Sequence, residues 1–430
     1  MKKYAISCLG CKVNSTEAEG IRETLNNGEY EEVDFREYAD IYLIITCAVT
    51  NVASAKSRKK INQAIRQNKD AVIGVIGCYV QVSLDEIKKS EHIDILVGSS
   101  NKNQIPKLIE EVIKTKERQV LVDDVRENAT FESLDISHYE HKTRAYLKIQ
   151  DGCNQFCSYC IIPYARGKER SLPLDEVINN AKKLSLKHKE IVLTGIHTGR
   201  YKDNNSSLSL CIKRIINEVQ GLQRLRISSI EVSEIDDDLI DMLSKDNILA
   251  KHLHIPLQSG CDKILKMMNR PYTTEEFFNK IEEIRKKIPD ISISTDLIVG
   301  FPQESDEDFN ETLNFLKKCR FSFLHVFPFS LKDKTVATSL NNQNSNEIKR
   351  LRVKEATKIS DDLYKEYQEK FIGKKLDVLV EKYDDQYSFG HSSEYIPVYV
   401  NGKFDNNNIV GVIGSLIKDG NIYAEVELEE

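Results

Sequence analysis

Tryptophan is absent from the 430 residues, no apolar run approaches the roughly 20 residues that a bilayer helix needs, and neither charge sign dominates. The missing tryptophan carries no functional reading. The lack of a long apolar run argues against a spanning helix, and no membrane partner is expected. A formal charge of −6 argues against phosphate binding over the whole surface, yet it leaves room for one local basic face. Met1-Lys2-Lys3-Tyr4 opens no secretory h-region, so a cytoplasmic protein in a reducing compartment is expected. Disulfides are then not expected, although ten cysteines are more than packing needs. A subset of them points to metal or redox chemistry.

Three of those cysteines are packed into Asp151-Gly-Cys-Asn-Gln-Phe-Cys-Ser-Tyr-Cys160, where Cys153, Cys157 and Cys160 follow a C-x3-C-x2-C spacing. An iron–sulfur cube takes one ligand per iron, so three thiolates leave one iron open to something that is not protein. Structural zinc closes with four ligands from two spaced pairs, and downstream no further cysteine or histidine occurs until His188. The preceding run, Ala145 to Gln150, reads as a strand. The loop therefore lies beyond a strand's carboxyl end, where α/β folds place their ligands.

From Met1 to about Thr130, β-branched runs at Tyr4, Ile41, Val72 and Ile93 alternate with charged helical stretches, which predicts a parallel sheet with crossover helices. Cys11, Cys47 and Cys78 each fall at or just past the end of one of the first three strands. One such cysteine is an ordinary packing thiol. Three at the shared carboxyl edge of a parallel sheet converge in space, and they read as a second site with three thiolates.

Six further strand-like runs between Arg144 and Ser339 predict an open (β/α)6 barrel with a lateral opening for a large substrate. Helices are expected from Pro173 and over Thr274 to Ile288. The polar run Asn341 to Asn346 precedes a basic helix, and past Phe371 the pattern changes to short strands with hairpin signals at Asn401-Gly402 and Asp419-Gly420. The expected fold is α/β in three units: 1–130 with the parallel sheet, 140–368 with the partial barrel, and 369–430 as a small all-β barrel.

With both triplets in place, the chain resembles the radical S-adenosylmethionine methylthiotransferases over essentially its whole length. The loop Asp151 to Gly167 resembles that family's radical loop, and Cys11, Cys47 and Cys78 match its auxiliary cysteines. The C-terminal strands resemble the TRAM module. Leu9-Gly-Cys-Lys-Val-Asn14, Thr46 to Asn51, Gly195 to Tyr201, Ser228 to Ile235 and His254 to Gly260 are similar to the branch that modifies N6-threonylcarbamoyladenosine beside the tRNA anticodon.

The resemblance implies two 4Fe-4S clusters and S-adenosylmethionine. Cys153, Cys157 and Cys160 would hold the cluster that generates a radical, and Cys11, Cys47 and Cys78 the cluster that delivers sulfur. Gly195 occupies the place where such proteins set a glycine-rich strand end against the methionine amino group, while Ser229, Glu231 and Gln258, on or after inner barrel strands, are read either as contacts to the cofactor's ribose or carboxylate or as satisfied barrel-lining polar residues. The resemblance also implies the anticodon stem-loop of tRNA as partner, and an electron donor such as flavodoxin or ferredoxin. Sister branches that act on isopentenyladenosine or on a ribosomal-protein aspartate are the rival substrates, and a non-catalytic iron–sulfur carrier or scaffold is the rival class.

Four further readings come from the residues alone. His252 and His254 alternate on one strand and are read as hydrogen-bonding residues without ligand company. Of Cys8, Cys211, Cys261 and Cys319 most are read as packing thiols, but Cys8 stands at a C-x2-C spacing from Cys11 that also suits redox or metal use, and Cys261 is assigned no role. Lys56, Arg58, Lys59, Lys60, Arg66 and Lys69 make a basic stretch close after Cys47. The segment from Ile372 instead has five lysines, no arginine and eleven acidic residues, so base stacking by Tyr383, Tyr387, Phe389 or Tyr395, rather than phosphate binding, is the expected route to RNA.

Overall fold

The computed structural model describes residues 1–26, 28–127 and 130–427, so the last residues of the expected 369–430 unit and two near the end of 1–130 lie outside the described residues. Its first sheet contains β1 (Lys2–Cys8), β2 (Tyr30–Glu32), β3 (Ile41–Thr46), β4 (Val72–Gly77), β5 (Ile95–Val97) and β6 (Gln119–Leu121). They are parallel throughout, in the order β2-β1-β3-β4-β5-β6. Every residue of β3 and β4 is buried, as their unbroken apolar runs require when helices cover both faces of a sheet. The edge strands β2 and β6 were not expected, because Tyr-Glu-Glu and Gln-Val-Leu are too short to show a period. Helices α1 (Lys12–Leu25), α2 (Asn51–Gln67) and α3 (Cys78–Val82) start at the carboxyl edge, just beyond β1, β3 and β4.

The central strands Ala145–Lys148, Glu190–Thr194 and Arg224–Ile227 form one parallel sheet, and His252–His254, Ser292–Val299 and Phe323–Pro328 form another. Parallel bridges Leu225–Leu249 and Ser229–His254 join the two into a six-stranded arc in sequence order. Among the described residues the first and last strands of the arc are not paired, so the barrel is open on that side. Helix α1 packs on the first strand and helix Asn346–Glu369 on the last. One continuous apolar core fills the space between the arc and its outer helices. Helix Leu174–Ser185 follows Pro173 directly, and Thr273 forms a capping box with Glu276 at the start of Thr274–Lys287.

The C-terminal strands Lys375–Tyr383, Tyr387–Ser392, Pro397–Asn401, Ile409–Lys418 and Asn421–Val426 close into a barrel. Asp419 and Gly420, at φ 51° and 73°, make the expected hairpin. Asn401-Gly402 does not. Pro397–Asn401 pairs instead with Tyr387–Ser392, and in parallel with Asn421–Val426. The strand Tyr387–Ser392 was missed because its pattern is inverted: Ser388, Gly390 and Ser392 face inward and the aromatic residues outward. Ser388 can be buried because its hydroxyl donates to Gly402 O at 2.9 Å and accepts from Phe404 N at 2.9 Å.

This small barrel plugs the amino-terminal mouth of the central one. Arg224 donates to Asp377 O at 2.8 Å, and Arg226 to Ser393 O at 2.9 Å and Ser392 O at 3.1 Å. Glu190, fully buried, binds Arg226 at 2.8 Å, Arg144 at 3.2 Å and Arg224 at 3.2 Å. Burial opposes its charge, but the guanidiniums of Arg226, Arg144 and Arg224 outweigh burial and hold the carboxyl down at about 2.

Candidate active site

At the opposite, carboxyl end of the central strands the loop of Cys153, Cys157 and Cys160 turns back sharply. Gly152 sits at φ +75°, and a Cβ there would lie 1.9 Å from Lys168 O, so the loop requires glycine. Cys160 N donates to Cys157 O at 2.9 Å, closing a turn between the second and third thiols. Arg270 Nη1 donates to Cys157 Sγ at 3.3 Å, and Arg270 also binds Glu231 and the Tyr272 hydroxyl. His197 Nδ1 lies 3.4 Å from Cys153 Sγ, with its Nε2 at 2.8 Å from Glu234. Burial works against a charged His197, yet Cys153 and Glu234 raise it to about 10. Burial also pushes the Cys160 thiol up to about 12 and raises Cys157 against the pull of Arg270.

The other triplet is assembled from three strand ends. Cys11 caps α1, Cys47 follows β3, and Cys78 begins α3. Gly10 is at φ +111°, and a Cβ there would come 2.8 Å from Cys47 Cβ, so only glycine lets the two loops approach. Asn14 Nδ2 ties them together by donating to Leu9 O at 2.6 Å and Thr46 O at 3.1 Å. Burial pushes the Cys47 thiol up to about 11.

Arg166 joins the two sites. It ends the short helix Ile162–Arg166 that follows Cys160, is fully buried, and its Nε donates to Cys78 Sγ at 3.2 Å. Its other nitrogens bind Asn14 Oδ1 at 2.8 Å and the Glu17 carboxylate. Lys102 at 3.3 Å and Lys148 at 3.6 Å also meet Glu17, while Lys148 at 2.7 Å and Arg170 at 3.2 Å meet Asp151. Burial opposes the charge of Glu17, but Arg166, Lys102 and Lys148 hold it down at about 2.

The donor sets suit clusters better than single ions. Tetrahedral zinc with Zn–S bonds of about 2.3 Å needs sulfurs roughly 3.8 Å apart. Among the described residues neither triplet forms a group with all its donors within 4.8 Å of one another. Wider-set thiols, with Cys78 and Cys157 met by N–H donors from Arg166 and Arg270, fit cubes whose iron replaces the thiol proton.

Residues 147–316 match the Radical SAM superfamily, and residues 3–98 match Uncharacterized protein family UPF0004. The chain is 40% identical over 428 residues to the Threonylcarbamoyladenosine tRNA methylthiotransferase MtaB of Bacillus subtilis (strain 168), with 97% of this chain and 93% of the relative covered. The protein of that name from Aquifex aeolicus (strain VF5) is 37% identical over 380 residues, covering 88% and 92%. The chain belongs to the radical S-adenosylmethionine methylthiotransferase family.

A tRNA-2-methylthio-N(6)-dimethylallyladenosine synthase from Thermodesulfovibrio yellowstonii (strain ATCC 51303 / DSM 11347 / YP87) is also similar, at 33% identity over 422 residues, covering 97% and 94%. Among solved structures, the radical S-adenosylmethionine methyltransferase TsrM from Kitasatospora setae superposes with a TM-score of 0.59 at 12% identity, over 78% of this chain and 76% of that one. The cobalamin-dependent S-adenosylmethionine radical enzyme OxsB, with aqua-cobalamin and S-adenosylmethionine bound, reaches 0.51 at 14% identity, over 86% and 56%. Both likenesses concern the fold. Membership in the family brings S-adenosylmethionine and 4Fe-4S chemistry to this methylthiotransferase.

The remaining residues read from the sequence are distributed around the methylthiotransferase's cysteine loop. Gly195 follows the strand Glu190–Thr194, and a Cβ there would lie 3.0 Å from Gln150 Cβ. Ser229 is exposed at the bridge to His254. Glu231 is paired with Arg270, and so reaches the loop through that guanidinium. Gln258, at φ +69°, donates its amide to Asp296 O at 2.9 Å. His254 does have company, contrary to expectation: its donors, those of Asp296 and those of His325 lie within 4.8 Å of one another, with Asp296 Oδ2 at 3.3 Å. Tyr395 is partly exposed and already stacks on His252 at 5.2 Å and His391 at 4.9 Å. The basic residues Lys56, Arg58, Lys59, Arg66 and Lys69 are exposed, while Lys60 covers the Phe35 ring at 4.9 Å. Cys8 packs against the core of the parallel sheet, and Cys211, Cys261 and Cys319 are buried.

Sequence reasoning missed His197, Arg166 and Arg270 as partners of the sulfurs. His197 and Arg166 stand inside the quoted motif strings, which was the available signal; Arg270 had none.

Inside the barrel lies a cavity of about 420 Å³, lined among others by Lys12, Arg226, His252, His254, His325 and Tyr395. It runs from the plug formed by the small barrel to α1, the helix that Cys11 caps.

Proposed function

We propose that this methylthiotransferase adds a methylthio group to carbon 2 of N6-threonylcarbamoyladenosine beside the anticodon of tRNA. Two 4Fe-4S clusters serve it, one held by Cys153, Cys157 and Cys160 and the other by Cys11, Cys47 and Cys78. The observation that carries the reading is the pair of three-thiol sites joined by Arg166. The relatives of 40% and 37% identity that bear the threonylcarbamoyladenosine name support the substrate.

Carbon 2 of adenine carries a hydrogen that no side chain of ordinary pKa removes. When bound, the radical-forming cluster and S-adenosylmethionine supply a deoxyadenosyl radical for that step. The chain's residues hold and orient. Arg270 and His197 place N–H donors on Cys157 and Cys153, which lowers the electron density on those sulfurs. Glu231 orients Arg270, while Gly195, Ser229 and Gln258 contact the cofactor. Gly10 and Asn14 hold Cys11 against Cys47, and Arg166 supplies a fixed positive charge beside Cys78. The exposed cations of α2 grip anticodon-stem phosphates. Flavodoxin or ferredoxin delivers the electron, in the cytoplasm. The units that divide this work are 1–130, 140–368 and 369–430.

The test compares tRNA nucleosides by mass spectrometry from cells with and without the gene, in a strain lacking a second enzyme of this kind. Loss of 2-methylthio-N6-threonylcarbamoyladenosine in the deletion is expected; an unchanged level overturns the substrate assignment.

A further inference from the structure

The cavity in the barrel is cationic in an uneven way. Arg226 is committed to Glu190 and to the carbonyls of Ser392 and Ser393, Arg144 to Glu190 and Glu381, and His254 to Ser294 and Asp296. Lys12 also lines this cavity, and among the described residues its Nζ has no hydrogen-bond or ion-pair partner. Two further polar atoms in the lining are buried without partners, His252 Nδ1 and Glu394 Oε2. An apolar ligand would leave His252 Nδ1 and Glu394 Oε2 unsatisfied, whereas a ligand with hydroxyl or N–H donors for Glu394 and an anionic group for Lys12 would use all three.

Lys12 directly follows Cys11 in the chain. Carbon 2 of adenine and the substituent on N6 flank the same ring nitrogen, so a side chain beside the sulfur-delivering site is within reach of whatever N6 carries. The threonylcarbamoyl group ends in a carboxylate; a dimethylallyl group has neither charge nor hydrogen-bonding atoms. Resting on the function proposed above, we infer that Lys12 binds the carboxylate of the threonylcarbamoyl side chain and is the residue that selects this nucleoside over one with an apolar N6 group. Its role is in binding the substrate, not in the radical chemistry.

The test uses anaerobically reconstituted holoenzyme with dithionite and S-adenosylmethionine on three anticodon stem-loops. These carry N6-threonylcarbamoyladenosine, the same nucleoside with its carboxylate converted to a carboxamide, and N6-dimethylallyladenosine. For wild type, the carboxamide is expected to raise KM about 10- to 100-fold, the range of a lost hydrogen bond to a charged group. Lys12→Gln should show a similar rise on the carboxylate substrate and almost no further rise on the carboxamide. A merely structural Lys12 would make Lys12→Gln equally worse on both RNAs, and that result overturns the inference, as does an unchanged KM. Should Lys12→Gln lose iron, Lys12→Arg and wild type still decide. Both are expected to prefer the carboxylate, and equal KM values on the two RNAs overturn the inference. Turnover of the dimethylallyl substrate alone would instead overturn the proposed function, and the arms keep the two failures apart.

Discussion

The two cysteine sites are built in opposite ways. Cys153, Cys157 and Cys160 lie in one loop, and their convergence needs little more than the turn between Cys157 and Cys160 and the glycine at 152. Cys11, Cys47 and Cys78 meet only because β1, β3 and β4 are parallel neighbours that end at the same edge. A local site survives changes elsewhere in the fold. A distributed one depends on every contact that keeps three strand ends in register, and here those contacts include Arg166, which comes from the loop of the first site. Dependence therefore runs mainly one way, from the distributed site to the local one.

Cysteine replacement should break this comparison most completely. Cys157→Ala is expected to abolish deoxyadenosine release and methylthio transfer together, whereas Cys47→Ala should keep the release and lose the transfer; both are read by chromatography of the products. Loss of release in Cys47→Ala would mean that the second site is structural.

Next in size is Arg166→Met, which leaves Glu17 buried with two of its three cationic partners. Removing one partner from such a group costs about 3–5 kcal/mol. A marked fall in melting temperature and preferential loss of iron from the distributed site are expected, followed by thermal denaturation and iron analysis.

Glu190→Gln sharpens the comparison from outside, since Glu190 sits at the plug, remote from both triplets. Its carboxyl is held at about 2, below the ordinary value of 4.5. Its contribution to stability is therefore complete above pH 4.5 and is lost as pH falls toward 2. The variant should be less stable at neutral pH, should lose less on acidification through that window, and should leave iron content intact, as acid titrations monitored by circular dichroism will test.

The smallest effect belongs to Arg270→Lys, which keeps the charge beside Cys157 but loses the planar fork that also binds Glu231. About a tenfold slower cleavage of S-adenosylmethionine is expected, the low end for losing a partner that orients a metal ligand. Methylthio transfer per deoxyadenosine released should stay the same; a drop in that ratio would show that the local site also leans on the distributed one.

Much of this architecture was legible in the residues because period and spacing are local quantities. The buried runs of β3 and β4, the C-x3-C-x2-C loop and the Asp419-Gly420 turn announce themselves within a few positions. Asn401-Gly402 carried the same turn signal and misled, because a hairpin forms only if the flanking strands pair, and the barrel pairs Pro397–Asn401 elsewhere. The strand Tyr387–Ser392 was hidden by small polar residues facing inward, satisfied by hydrogen bonds that only the closed barrel provides.

By itself the sequence determined the two sets of three thiols, the parallel sheet that gathers one of them, and the order of barrel strands. All follow from backbone periodicity and the chemistry of neighbouring residues. Only the tertiary structure decided which charges meet which sulfurs: that Arg166 spans from one site to the other, that Glu231 is spent on Arg270, that His254 has Asp296 and His325 beside it, and that Lys12 is left without a partner in the cavity. Long side chains choose their partners by proximity across elements distant in the chain, and a partner gained at one carboxylate is a partner withheld from another. That allocation exists only once the whole fold has closed.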